Sequence, residues 1–245
     1  MTQPALVAVA HGSRDAAAGV ATSELVDAVR RARQGLTVLE AYLDHASPAL
    51  SQLAGTLTEP FVVVPLLLGA AYHSRVDIPA ALAPVGSLAT QADVLGPDPL
   101  IVAALERRLA SAGIEPGDGD TAVVLAAAGS TEASSVDAVR ELAAGWRNAG
   151  WWAVEAAFAS AASPTVESAV ATLRGRGAPR VAVATYLLFP GLFADKLAAA
   201  GADVVSAPLA DAPEVVQCVL ARYDAAATRR RAVPAADPPT ARNRL

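Results

Sequence analysis

The chain is written twice, and that internal repeat constrains its fold more than any other feature. Residues 6–15 read LVAVAHGSRD and residues 122–132 read AVVLAAAGSTE, so Gly12-Ser13 returns as Gly129-Ser130 while His11 becomes Ala128. AYLDHASPAL around Pro48 returns as AAFASAASPTV around Pro164, with Ser160-Ala161 in place of Asp44-His45. A third pair sets FVVVPLLLGAAYHSRVDIPAAL (61–82) beside RVAVATYLLFPGLFADKLAAA (180–200), and Phe193 stands where His73 stands in the first copy. All 3 histidines of the chain lie in the first copy. Two copies of one scaffold are therefore expected, with the chemistry kept in one.

At 245 residues and 53% hydrophobic content the chain is long enough to bury two cores of ordinary domain size. The division predicted is a first lobe over 1–115, a second over 121–227 and a disordered tail over 228–245. The turn-rich run Glu115-Pro116-Gly117-Asp118-Gly119-Asp120 marks the boundary, and Arg229-Arg230-Arg231 followed by prolines reads as the tail. The apolar runs are far shorter than the roughly 20 residues that cross a bilayer, and the first strand follows with no basic leader, so no membrane and a cytoplasmic location are expected. Cys218 is the 1 cysteine, which excludes an internal disulfide and cysteine-built metal sites. A net charge of -5 argues against nucleic acid as a partner.

Solid apolar runs predict strands near 5–10, 36–43, 61–68 and 92–95, repeated near 122–127, 152–159, 180–187 and 203–206. Helices are expected near 16–33, where Val20, Leu25 and Val29 fall at helical spacing, and near 48–57, 76–83 and 99–112. In the second copy they are expected near 132–148, 164–175, 192–200 and 213–225. Strands alternating with helices imply an α/β fold, each half a parallel sheet flanked by helices.

Open parallel sheets collect ligands at the carboxyl ends of their strands, where the histidines fall. His11 ends the first strand and precedes the small turn Gly12-Ser13, whose following helix could hold an anion on its free N–H groups. Asp44-His45 ends the second strand, and His73 follows the third. If these strands are neighbours, His11, His73 and either Asp44 or His45 converge. Each also has a structural reading: a strand-end histidine is commonly a hydrogen-bonded group, and Asp44 either caps the next helix or completes a His/His/carboxylate set. The erasure of two equivalent histidines from the second copy favours function for His11 and His73. Ser13 and Ser130 persist in both copies, as capping residues would. Arg14, Arg75 and Asp77 flank the histidines, as solvated helix-start residues or as groups facing a substrate.

VAVAHGSRD, AYLDHASP and VVVPLLLGAAYHSRVDIPAAL together resemble the small class II chelatases of the CbiX and SirB type, which place a divalent metal in sirohydrochlorin. The resemblance extends through ADVLGPDPLIVAALERRL at 92–109, and the second half is similar to a degenerate copy. It implies two Rossmann-like chelatase lobes fused in one chain, with the active cleft between them, and a monomer where single-lobe relatives pair. It implies His11, His73 and Asp44 as catalytic groups, the two histidines binding the metal and Asp44 assisting from the family's acidic position, where related chains often carry glutamate. Gly12, Ser13, Arg14, Ala70, Ala71, Tyr72 and Arg75 would line the macrocycle. No permanently bound cofactor is implied, because Fe2+ or Co2+ is itself a substrate.

The residue types suit that chemistry. Neutral imidazole holds Fe2+ or Co2+ without trapping it as a thiolate would, and it takes a proton near pH 7. Leu66 to Leu68 are read as strand core, while Ala70, Ala71 and Tyr72 are apolar walls for a flat ring. Arg14, Arg75 and the helix start after Gly12 would supply positive potential for its carboxylates. The expected activity is a lyase-type chelatase in siroheme or cobalamin synthesis. A non-catalytic carrier of tetrapyrrole or metal is the alternative. Phosphoryl transfer on His11 is disfavoured, since Ala10 stands where an Arg-His-Gly pattern needs arginine.

Overall fold

The computed structural model describes residues 3–70 and 72–232. The first half runs β1 (Ala5–Ala10), α1 (Ala16–Ala32), β2 (Val38–Tyr42), α2 (Leu50–Thr56) and β3 (Phe61–Pro65). It continues with a π-helical turn (His73–Asp77), α3 (Ile78–Leu82), β4 (Ala89–Gln91) and α4 (Pro99–Ser111). The second half repeats the order as β5 (Thr121–Ala127), α5 (Ala133–Trp146), β6 (Ala153–Phe158), α6 (Val166–Gly175), β7 (Arg180–Tyr186), α7 (Leu192–Ala198), β8 (Val204–Val205) and α8 (Pro213–Ala232).

Among the described residues the strands form two sheets ordered β2-β1-β3-β4 and β6-β5-β7-β8, with every pairing parallel. The central strands β1 and β5 are buried along nearly their whole length, because helices cover both faces. That is why they read as unbroken apolar runs rather than as alternating patterns.

The two halves share one interior. Helix α4, from the first half, packs on β7 of the second, and α8 returns to pack on α1, α4, β3 and β4 of the first. The core accordingly runs continuously from Leu6 and Val64 through Leu105 and Val219 to Leu125 and Ala184. Polar bonds hold the exchange. Arg222 donates to the carbonyls of Val94 (2.7 Å) and Leu95 (3.0 Å) and pairs with Asp98, and the Tyr223 hydroxyl donates to Pro4 O at 2.6 Å.

Several expected boundaries move. Strand β3 stops at Pro65 rather than 68, because Leu66 N–H makes a bond to Val9 O (2.7 Å) just before β1 itself ends at Ala10. Strand β4 pairs at Ala89–Gln91, upstream of the apolar run 92–95, which follows in irregular backbone. Val20 is exposed despite its helical spacing with buried Leu25 and Val29. Helix α8 continues to Ala232, beyond 225 and into the segment read as tail. Buried Ala226 and Ala227 seat it, Arg229 reaches Asp93 at 3.3 Å and Arg230 donates to Ser87 O at 2.6 Å. The rest of that segment, 233–245, lies outside the described residues. Among the described residues no helix is long and apolar enough to cross a membrane.

The exit of β1 is tied to that of β2. Leu43 and Asp44 N–H groups donate to Ala10 O (3.1 Å) and His11 O (2.9 Å), and a Cβ on Gly12, where φ is +93, would lie 1.8 Å from Asp44 O. The second half repeats this approach: a Cβ on Gly129, where φ is +93, would lie 1.9 Å from Ser160 O. His45 and Ala161 match as well, at φ 59 and 57.

Two outcomes are expected. Because the core is shared and the helices exchanged, calorimetry should show one cooperative transition, with calorimetric and van't Hoff enthalpies equal; two separate transitions would refute a common core. Gly12→Ala and Gly129→Ala should each cost about 3 kcal/mol in denaturant unfolding, since backbone must move to admit the methyl group. Gly19→Ala, with nothing within 4 Å of its added Cβ inside α1, should instead stabilise by roughly 0.5–1 kcal/mol.

Candidate active site

Strand pairing brings the first-half histidines together. His11 leaves β1 and His73 opens the π-helical turn after β3, the neighbour of β1. Their rings meet edge to face with centroids 4.3 Å apart. His73 Nδ1 lies 2.6 Å from Asp77 Oδ2, and His11 Nδ1 lies 3.1 Å from Gly12 O. A carbonyl and a carboxylate oxygen only accept, so each Nδ1 carries a proton, and in the neutral ring each Nε2 offers its lone pair to a metal ion or a proton.

Asp77 reaches His73 because one helical turn stacks residues four apart on one face. The spacing of His73 and Asp77 carries that signal in the sequence, but a helix expected from 76 leaves Asp77 as a flanking residue. The turn starts at His73, and the carboxylate becomes a partner of the ring.

Asp44 behaves otherwise. Its carboxylate accepts from His45 N–H (2.7 Å) and lies 3.3 Å from His45 Nε2, and α2 begins after Ala49 with no side-chain cap, so Asp44 is not the cap of that helix. The His45 ring stands 6.3 Å from that of His11. Among the described residues, no three His, Cys, Asp or Glu side chains group closely enough to hold a metal ion. His11 and His73 thus form a pair, with Asp44 and His45 beside it.

A cavity of about 290 Å³ opens at the pair, bounded by His11, Asp44, Ser51, His73, Asp77 and Ala81 among others. Its walls belong wholly to the first half, whereas the sequence places the cleft between the lobes. The second half meets the first at other residues: Glu132 Oε2 lies 3.4 Å from Arg75, and a Cβ on Gly191 would come 3.7 Å from the Asp15 carboxylate. A separate cavity of about 130 Å³ does lie between the halves, bounded by Ala70, Arg75, Ser135 and Tyr186.

The remaining expected contacts divide. Ser13 Oγ accepts from Asp15 N–H at 3.0 Å, as Ser130 Oγ does from Glu132 N–H at 3.0 Å, so both serines brace a helix start. The start of α1 is not an open anion site, because Asp15 caps it by accepting from Ala17 N–H at 2.9 Å. Arg14 is exposed and makes no hydrogen bond or ion pair among the described residues. Arg75 shares its charge with Glu132. Tyr72 is exposed with its ring 6.2 Å from that of His73, and Ala70 O accepts from Ser135 Oγ at 2.9 Å. Ala71 lies outside the described residues. Leu66 is core, as expected, while Leu67 and Leu68 are only partly buried. Cys218 is buried, donates to Leu95 O at 3.4 Å, and burial pushes its thiol up to about 11, so it stays a protonated core group.

Comparison with known proteins adds to this geometry. The chain is 27% identical over 202 residues to a sirohydrochlorin cobaltochelatase of Priestia megaterium, covering 77% of this chain and 65% of that protein, just under two thirds of its length. It is 27% identical over 206 residues to a sirohydrochlorin ferrochelatase of Priestia megaterium, covering 79% of this chain and 76% of that protein. Among solved structures, SirB from Bacillus subtilis with Fe3+ superposes with a TM-score of 0.76 at 22% identity, over 94% of this chain and 98% of that one. At that identity the likeness speaks for the fold. The sequence model of the CbiX family matches residues 5–112 and again 122–226, once for each half, and the chain belongs to the CbiX family.

Proposed function

We propose that this chain is a metal chelatase, a lyase that inserts Fe2+ or Co2+ into sirohydrochlorin for siroheme or cobalamin synthesis. Membership of the CbiX family and the names of the two Priestia megaterium relatives support the reaction class. The observation that carries it is the His11–His73 pair, with rings 4.3 Å apart and each Nδ1 engaged by an oxygen that can only accept.

Insertion replaces two pyrrole protons by one divalent ion. His11 and His73 hold the incoming ion through Nε2; as it passes to the ring nitrogens, the two freed lone pairs accept the two displaced protons. One pair of imidazoles thus balances the exchange in metal and in charge. Two ligands, with no third His, Cys, Asp or Glu grouped with them among the described residues, make a site that yields its ion, which an acceptor of four nitrogens requires. Asp77 is a positioning residue: its carboxylate fixes the tautomer and orientation of His73 and stabilises that ring once protonated. Asp44, at the cavity edge beside His45, assists as a polar wall. Gly12, Ser13, Arg14, Ala70, Tyr72 and Arg75 form the surrounding macrocycle surface, with the exposed Arg14 the readiest charge for a carboxylate.

The reading extends to a monomer with no permanently bound cofactor, because the fused halves supply within one chain the pairing of lobes. The same reading includes a cytoplasmic location. Sedimentation should return the mass of one chain.

The deciding experiment is an anaerobic absorbance assay of sirohydrochlorin with Co2+ and separately with Fe2+, each against the spontaneous rate. His11→Ala and His73→Ala should each lower the catalysed rate about 100-fold or more. Wild type that binds the macrocycle without accelerating insertion would sink the chelatase and leave a carrier. Asp77→Asn should weaken Co2+ binding roughly 10–100-fold, followed by Co2+ absorbance, with thermal stability unchanged. Unaltered Co2+ affinity would remove Asp77 from the site.

A further inference from the structure

The second half carries a surface that its own packing does not use. At the start of α7, Leu192 is 70% exposed and Phe193 38% exposed, in a chain with only 4 phenylalanines. Lys196, one turn on, holds its ammonium 5.7 Å from the Phe193 ring centroid. It is the sole lysine in the sequence, and among the described residues it makes no ion pair, although acidic residues outnumber basic ones. An uncompensated cation resting on an exposed ring is a combination with two faces, one for a flat apolar body and one for an anion.

Its position ties it to the histidines. Gly191, the residue that opens α7, sits against Asp15, the cap of α1 in the run His11-Gly12-Ser13-Arg14-Asp15. The matching tip of the first half, Tyr72 and Val76 on the turn that carries His73, is likewise exposed. Both apolar tips therefore border the end of the molecule where the histidines lie.

We propose that Phe193 and Lys196 are substrate-binding residues contributed by the half that lost its histidines: Phe193 lies on the face of the tetrapyrrole, and Lys196 pairs with one of its carboxylates. The inference rests on the chelatase reading and adds a role for the second half within it. A ring of carboxylates meeting a protein of net charge -5 needs local cations, and Arg75 is already shared with Glu132, whereas Lys196 is a cation of the second half that, among the described residues, no carboxylate shares.

The test titrates metal-free sirohydrochlorin into the full chain and, in a separate arm, Co2+ alone. Phe193→Ala and Lys196→Ala should each raise the macrocycle Kd about tenfold, with Co2+ affinity and thermal stability as in wild type, and Lys196→Arg should retain most of the binding. Because no other side-chain amine exists, acetylation at Lys196 read by mass spectrometry should slow several-fold when the macrocycle is bound. Macrocycle affinities within about twofold of wild type, in a protein that binds and metallates sirohydrochlorin, would overturn this assignment alone. A wild type that fails to bind the macrocycle would overturn the chelatase reading and this inference together.

Discussion

The geometry of the site depends on β1 standing between β2 and β3 in a parallel sheet. Parallel pairing sends all three chains out at the same end, so residues remote in sequence, His11, Asp44 and His73, leave the sheet side by side. Backbone hydrogen bonds then set the spacing: Asp44 N–H on His11 O fixes the second loop against the first, and the absence of a side chain at Gly12 allows the approach. The side chains add little to this placement. It is made by main chain, which is why the second half preserves it with Ala128 and Ser160 in place of His11 and Asp44.

The same reasoning separates scaffold from chemistry. A duplicated lobe must keep its buried strands, its close glycine and its bracing serine to remain folded, and β5, Gly129 and Ser130 all match their first-half counterparts. It need not keep imidazoles. The exchange of α4 and α8 across the halves makes the retained scaffold indispensable, because each sheet is covered by a helix from the other half and their cores merge.

Much of this was legible in the sequence for identifiable reasons. The strands buried on both faces announce themselves as apolar runs, and the loss of two histidines from an otherwise faithful repeat singled out His11 and His73. What was not legible depended on partners. The run Leu66 to Leu68 is as apolar as the strand before it, but β1 ends beside it, and Leu67 O and Leu68 O accept from Leu95 N–H and the Tyr186 hydroxyl instead of from a neighbouring ladder. Arg229 to Arg231 have the composition of a solvated tail, yet Arg229 and Arg230 find Asp93 and the backbone of Ser87, which lie more than half the chain away in sequence. Asp77 shows its meaning only once the helical turn is known to begin at His73, and Asp44 turns to a neighbour, His45, that the sequence offered as its rival.

The one-sidedness of the histidine pair carries a stereochemical consequence. In an assembly of two identical lobes, both mouths are equivalent and a planar acceptor would meet donors whichever way it entered. Here the donors are confined to the first half, and Ala128 and Phe193 occupy the matching places in the second. On the proposed reading, an ion delivered from His11 and His73 would approach from a single face, so an acceptor whose two faces differ would be productive in one orientation only.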